Sequence, residues 1–189
     1  IIAALKQNTW VDYLATLVSI FGIVTPNFAL GITLVLVFST LTGWLPAGGW
    51  EQPKQWILPV ICFAMSPMGT IARYTRASLL DVMHEDYVRT ARSKGLREIR
   101  VVTRHMLRNA LIPIFTILGP MAGALTTGSI YVEAIFRIPG IGQYFTSSIM
   151  ARDYPMMMGI TMLYAVIVAV SYLLTDISYV LADPRVDFA

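Results

Sequence analysis

A helix needs about 20 consecutive, mostly apolar residues to cross the hydrocarbon core of a membrane, where no water is present to satisfy its backbone. This chain offers four such stretches within 189 residues, and nothing else in it constrains the fold as strongly. They lie near residues 22–43, 56–74, 111–132 and 156–181. A further apolar run, Val11 to Val24, precedes the first, and Pro26 marks a kink or junction there. Charged residues make up 13 % of the chain. A soluble domain carries roughly 25 %, so an ordinary soluble enzyme is excluded, and the apolar content excludes a disordered chain. The expectation is an all-α integral membrane protein: one domain over 1–189, a polytopic helical bundle with about four spans.

Proline inside a span removes a backbone hydrogen bond that lipid cannot replace. Pro26, Pro67 and Pro120 therefore indicate either packed, broken or cavity-lining helices, or kinks buried against neighbours. The single cysteine, Cys62, excludes an internal disulfide. With one Cys and two His in the chain, a Cys/His zinc site is not expected, nor any other metal site.

The connections between spans differ sharply in charge. Residues 73–108 hold nine Lys or Arg against four acids, a net of +5. Residues 44–55 hold only Glu51 and Lys54, and 133–155 only Glu133, Arg137, Arg152 and Asp153. Basic loops stay on the cytoplasmic side. That places 73–108 inside, 44–55 and 133–155 outside, and both ends of the chain inside. Trp10, Trp44, Trp50 and Trp56 sit near the proposed boundaries, as interfacial aromatic residues do.

The basic loop, 76–110, is also patterned. Leu79, Met83, Tyr87 and Ala91 recur every four residues, and Ile99, Val102, Met106 and Ala110 follow at three, four and four. Each set reads as one face of a helix. Gly95 lies between them, where a left-handed cap lets a chain turn, so helix, Gly95 elbow, helix is expected. Glu85 stands four residues before Arg89, a spacing that braces a helix by about 0.2–0.5 kcal/mol. Arg97, Arg100, Arg104 and Arg108 form a second stripe offset from the apolar one. It reads either as a basic face that sets topology and meets anionic headgroups, or as a docking surface for an acidic soluble partner. A topological signal needs only scattered basic residues, and this loop has about 35 residues of two patterned helices, which favours docking.

These residues resemble a known family. Glu85–Asp86–Tyr87–Val88–Arg89–Thr90–Ala91–Arg92–Ser93–Lys94–Gly95–Leu96, followed by Arg104–His105–Met106–Leu107–Arg108–Asn109–Ala110–Leu111–Ile112–Pro113, is similar to the cytoplasmic loop of permease subunits in ATP-binding-cassette importers. The resemblance is to the dipeptide, oligopeptide and nickel branch, most of all to B-type oligopeptide permeases. Val132–Glu133–Ala134–Ile135–Phe136 leading to Pro139–Gly140–Ile141–Gly142–Gln143 agrees, as do Arg152–Asp153–Tyr154–Pro155, Asp183–Pro184–Arg185, Ala3–Ala4–Leu5–Lys6, Asp12–Tyr13, Trp44–Leu45–Pro46 and Gly48–Gly49–Trp50. The general importer loop has Glu-Ala-Ala where Arg89, Thr90 and Ala91 stand here, and its glycine-to-proline interval is shorter than Gly95 to Pro113. Both departures are those of the peptide branch.

The resemblance implies a type I importer fold of usually six spans. A chain beginning at Ile1 then reads as lacking about two N-terminal spans. It implies a bacterial inner-membrane permease forming the path for oligopeptides or dipeptides, with membrane lipid around it. The implied partners are a second homologous permease, two ATPase subunits carrying ATP and Mg, and an external peptide-binding protein; no nucleic acid is expected. Glu85, Arg89, Thr90, Ala91, Arg92, Lys94, Gly95 and Leu96 would couple to the ATPases, with Arg97, Arg100, Arg104 and Arg108 as the basic face beside them. Glu133, Phe136, Pro139, Gly140 and Gly142 would lie at the outer mouth; alternatively this segment is a compact re-entrant cap with Glu133 and Arg137 paired. Asp153 and Pro155 read as a helix start. Asp176 is an acid in the inner part of the last span, and the ten methionines are packing or adaptable lining.

No Gly-x-x-x-x-Gly-Lys-Ser/Thr phosphate loop occurs, so the chain itself carries no ATP site and no catalytic residue or cofactor is expected. A membrane enzyme would need a nucleophile or metal at membrane depth, whereas His84 and His105 both lie in the basic loop. An ion-coupled transporter or channel would need several intramembrane charges, and Asp176 stands alone. Within the resembled branch, nickel and antimicrobial peptides are the alternative cargoes.

Overall fold

The computed structural model describes residues 1–182 and consists of helices joined by short turns. The tail from Asp183, expected inside, lies outside the described residues. In chain order the helices are α1 (Ile2–Leu5), α2 (Trp10–Val24), α3 (Asn27–Leu41), α4 (Pro53–Val82), α5 (Asp86–Ser93), α6 (Glu98–Ala110), α7 (Ile112–Thr127), α8 (Ile130–Phe136), α9 (Ile141–Ala151) and α10 (Tyr154–Ala182). The last turns of α3, over Val35–Leu41, and the middle of α6, over Val101–Met106, are π-helical.

Two helices, α4 and α10, are individually long and apolar enough to cross a membrane. The pairs α2–α3 and α6–α7 bring the number to four among the described residues if each is one bent span. The first pair bends by 106° at Thr25 and Pro26, and the second by 54° at Leu111. Of the three prolines singled out, only Pro26 sits at a break; Pro67 and Pro120 ride inside continuous helices.

Helix α4 is the spine. At 30 residues it is about 45 Å long. It begins where the Gln52 backbone N–H donates to the Gln55 side chain in a capping box, with Pro53 in the first turn, where its missing N–H costs nothing. Helix α2 crosses α4 at near backbone contact. A Cβ on Gly22 would stand 2.7 Å from the Met65 carbonyl oxygen, and one on Gly69 2.6 Å from that of Ser19. Helix α7 packs along α10, where a Cβ on Gly119 would overlap the Thr175 side chain. Lipid offers no hydrophobic drive for helix association, so close approach over small residues supplies the van der Waals energy instead.

The α2–α4 crossing is locked near the basic end. Arg76 Nε and Nη2 donate to the two Asp12 carboxylate oxygens at 2.5 and 2.7 Å, and the Asn8 backbone N–H donates to the same carboxylate at 3.1 Å. The Asp12 side chain is only 3 % exposed. An acid so shielded from water needs its partner.

Both glycines of the crossing face backbone, which cannot move aside as a flexible side chain can. Gly69→Val is expected to destabilise the protein by about 1–3 kcal/mol, seen as a lower thermal unfolding midpoint of the detergent-solubilised complex. Gly159→Ala, whose added Cβ meets nothing within 4 Å, should leave that midpoint unchanged or raise it.

Candidate functional site: the glycine elbow and the Glu133 unit

At the basic end of α4 the expected elbow is present, built differently from the simplest periodic reading. The set Leu79, Met83, Tyr87 and Ala91 does not lie on one helix. Helix α4 stops at Val82, and Glu85 takes extended backbone (φ −67°, ψ 147°), its carbonyl accepting the first amides of α5 from Val88 and Arg89. Leu79 and Ala91 reach the same core from different helices. Val88 is buried beside them, and Tyr87 is exposed.

In α6 the buried residues are Val101, Val102, Met106 and Ala110, while Ile99 is 67 % exposed. The π-helical turn explains the shift. Its i→i+5 hydrogen bonds bring residues five apart onto one face, and Val101 and Met106, five apart, are both fully buried. These side chains join Leu79, Val88, Ala91 and Ala4 in one apolar cluster that welds α5 and α6 to α4 and α1.

The turn between α5 and α6 is Lys94–Gly95–Leu96, with Gly95 at φ +73°. A side chain there would meet open space but would cost about 1–2 kcal/mol in backbone strain. Arg92 spans this turn: its Nε and Nη2 donate to the Glu98 carboxylate at 3.2 and 2.7 Å. The guanidinium holds the Glu98 carboxyl below its ordinary pKa. The clasp is therefore complete above the ordinary glutamate range and opens as pH falls through the lowered value.

The proposed Glu85–Arg89 brace is not what forms. Arg89 lies 3.7 Å from Asp86, both side chains exposed, and Glu85 acts through its backbone carbonyl. Glycine-flanked Lys94 and the stripe Arg97, Arg100, Arg104 and Arg108 are all exposed, and the stripe faces away from the apolar cluster. Thr90 is also exposed, its hydroxyl donating to the Asp86 carbonyl, while Ala91 is buried and Leu96 half-buried against the cluster.

At the other end of α4 a second unit closes the bundle. The stretches expected as one span (111–132) and an outer loop (133–155) divide differently: α7 ends at Thr127, Gly128 turns at φ +77°, and α8 and α9 follow as short helices. Phe136 is fully buried against Leu30, Leu58, Cys62 and Val132. The turn at Gly48 and Gly49 lies on the end of α8, with the Gly49 N–H donating to the Phe136 carbonyl at 2.8 Å. Glu133 does not pair with Arg137, which ends α8 in a left-handed conformation. Instead Glu133 is turned inward and is 8 % exposed. Its Oε2 accepts the Gln143 backbone N–H at 3.2 Å, in the first turn of α9, where a carboxylate also meets the positive end of the helix dipole. Gly128, Gly140 and Gly142 surround the carboxylate so closely that a Cβ at any of them would collide with it. Pro139 lies in the intervening turn. Asp153 does start α10, its Oδ1 accepting the Met156 N–H at 3.1 Å.

Periodicity alone missed Val88, Val101 and the Arg92–Glu98 clasp. The V-E-x-x-F…P-G-x-G spacing pointed to the outer unit but not to an inward carboxylate. Met106 is central to the elbow core, so Met106→Ala is expected to cost about 2–5 kcal/mol and to speed tryptic cleavage at Arg89, Arg92 and Lys94 in the intact complex. Arg92→Gln removes only an exposed clasp and should cost less than about 1 kcal/mol.

Residues 1–188 of the chain match the family model described as the binding-protein-dependent transport system inner membrane component. It is 44 % identical over 186 residues to the dipeptide transport system permease protein DppB of Bacillus subtilis (strain 168), covering 98 % of this chain and 60 % of that protein. It is 40 % identical over 198 residues to the oligopeptide transport system permease protein AppB of the same organism, covering 100 % of this chain and 63 % of AppB. It is also 37 % identical over 190 residues to the oligopeptide transport system permease protein OppB of Escherichia coli (strain K12), covering 100 % of this chain and 62 % of OppB. The chain thus spans about three fifths of the length of these curated relatives. With its all-helical bundle and apolar spans, it belongs to the family of binding-protein-dependent transport system inner membrane components.

Proposed function

We propose that this chain is the membrane-path subunit of an ATP-driven importer of short peptides, moved between outward- and inward-open states by separate ATPase subunits docked on the elbow. A second permease subunit would complete the path, and an external binding protein would deliver the peptide at the outer unit of Glu133, Phe136, Pro139, Gly140 and Gly142. Family membership, and relatives named for dipeptide and oligopeptide transport, support the cargo class.

One observation carries the mechanism: the elbow has a fully apolar inner side and a polar outer side. Val88 and Ala91 of α5 are buried against α4 and α6, while Arg89, Thr90, Ser93 and Lys94 face out. A partner gripping the outer side displaces α5, and a close-packed cluster transmits that displacement rather than absorbing it. Helix α4 carries it from Leu79 toward Leu58, where the outer unit packs, about 32 Å along the helix. The Asp12–Arg76 pair makes α2 follow α4. ATP can drive the cycle only through a difference in ATPase affinity for the two elbow positions, so the docking side must be rigid. The Arg92–Glu98 clasp across the glycine turn supplies that rigidity.

The test separates contact from bracing. Gly95→Pro and Arg89→Glu are expected to release the ATPases from the purified complex while the second permease remains. Arg92→Glu should uncouple peptide-stimulated ATP hydrolysis, and adding Glu98→Arg, which restores the clasp with reversed polarity, should recover most of it. Retention of the ATPases in both Gly95→Pro and Arg89→Glu would return the basic loop to a topological role.

A further inference from the structure

We infer that a groove between α4 and α7 receives the amino-terminal end of the transported peptide, with Glu133 as the acceptor for its ammonium group and the apolar wall below holding its side chains. The inference rests on the reading of the chain as a peptide path and names residues of that path.

Two cavities meet in this groove. The outer one, about 280 Å³, is lined by Trp50, Pro59, Gly128, Glu133 and Ile138 among others. The inner one, about 400 Å³, continues past Pro67, Met68, Ile71, Leu118 and Met121. They share Val60, Phe63 and Leu125 and so form a single trough. From Pro59 to Ile71 the α4 wall runs about 18 Å, the length of about five extended residues.

The one acidic side chain among the residues lining the trough is Glu133, and no Lys, Arg or His lines it. Its Oε2 is engaged by the Gln143 N–H, but no hydrogen bond among the described residues reaches Oε1. No fully buried side-chain oxygen among the described residues lacks a partner, so Oε1 keeps some exposure, and Glu133 lines the outer cavity. No Lys or Arg among the described residues is ion-paired to it. The glycines at 128, 140 and 142 keep side chains out of the space around it. A carboxylate held nearly dry, with one free oxygen at the end of an apolar trough, is complementary to one kind of occupant: a cation followed by apolar bulk. A free peptide amino terminus is that occupant. The wall beneath offers aromatic and methionine surface, which accepts side chains of many shapes.

The experiment uses the complete importer in proteoliposomes and two probes. One is a tripeptide with a free amino terminus and benzoylphenylalanine at its second position; the other is its N-acetylated twin. After irradiation, labelled residues are mapped by mass spectrometry. The expected result is labelling within residues 59–71 and 118–125, stronger for the free amine by about tenfold, since losing one partner of a shielded charge pair is costly. Glu133→Gln should bring the two probes to parity, and Glu133→Asp should keep part of the preference. A clasp-only role for Glu133 would lower both probes in proportion, and that result overturns the inference. Equal labelling by the two probes in the unaltered importer, or labelling confined to other segments, overturns it without any variant. Uptake of the free tripeptide with binding protein and ATP is measured in the same vesicles. Uptake without trough labelling removes this inference alone; absence of uptake removes the peptide-importer reading with it.

Discussion

The bond between Asp12 and Arg76 is the constraint on which the rest of the bundle depends. It joins the first turn of α2 to the inner part of α4, with both carboxylate oxygens engaged by one guanidinium. Arginine suits this role because its planar fork delivers two parallel donors, which a lysine cannot. Once the carboxylate is shielded, neither partner can leave without exposing an unpaired charge, so α2 and α4 separate together or not at all. The glycine crossing at Gly22 and Gly69 lies farther along the same two helices and brings their backbones together. Two contacts along one pair of rods define an angle as well as a distance. The chain thereby gains a rigid pair against which the bent elements, α2–α3 and α6–α7, can be oriented.

The two ends of α4 are closed by different local features. At the elbow the cluster of Leu79, Val88, Val101, Met106 and Ala110 is apolar, and the charges sit outside it. At the other end an apolar cluster around Phe136 is joined by backbone contacts. Gly49 reaches the Phe136 carbonyl, Gln143 reaches the Glu133 carboxylate, and glycines stand wherever the chain passes close. Such a unit has little side-chain freedom to lose.

Much of this was legible in the residues, and the failures have physical causes. Apolar length gave the helices α4 and α10 because hydrocarbon thickness sets a length that composition reveals directly. Gly95 was readable as an elbow because only glycine takes φ +73° without strain. The helix around Leu79 to Ala91 was misread because two helices joined by a three-residue turn can preserve a four-residue repeat by coincidence. Ile99 was misassigned because a π-helical turn changes the period in the middle of α6, and period is the only quantity that spacing reports. The Arg92–Glu98 clasp spans six residues across a turn, a separation at which no helical rule pairs side chains. Whether Glu133 met Arg137 or turned inward depends on the left-handed end of α8 at Arg137, a conformation uncommon for any residue with a side chain.

On the proposed reading, the same features would explain why a path for varied cargo need not be a loose structure. Tolerance requires a wall without directional contacts, and the trough of Phe63, Met68, Leu118 and Met121 provides one. Tolerance alone would leave register undefined, since an apolar wall holds an extended chain equally well at any offset. A single charge at one end breaks that degeneracy: it opposes sliding without reading any side chain. A fixed end and an indifferent wall together accept different sequences of similar length. On the proposed reading, discrimination between sequences would belong to whatever delivers the cargo, and the membrane path would select only for a free terminus and for reach.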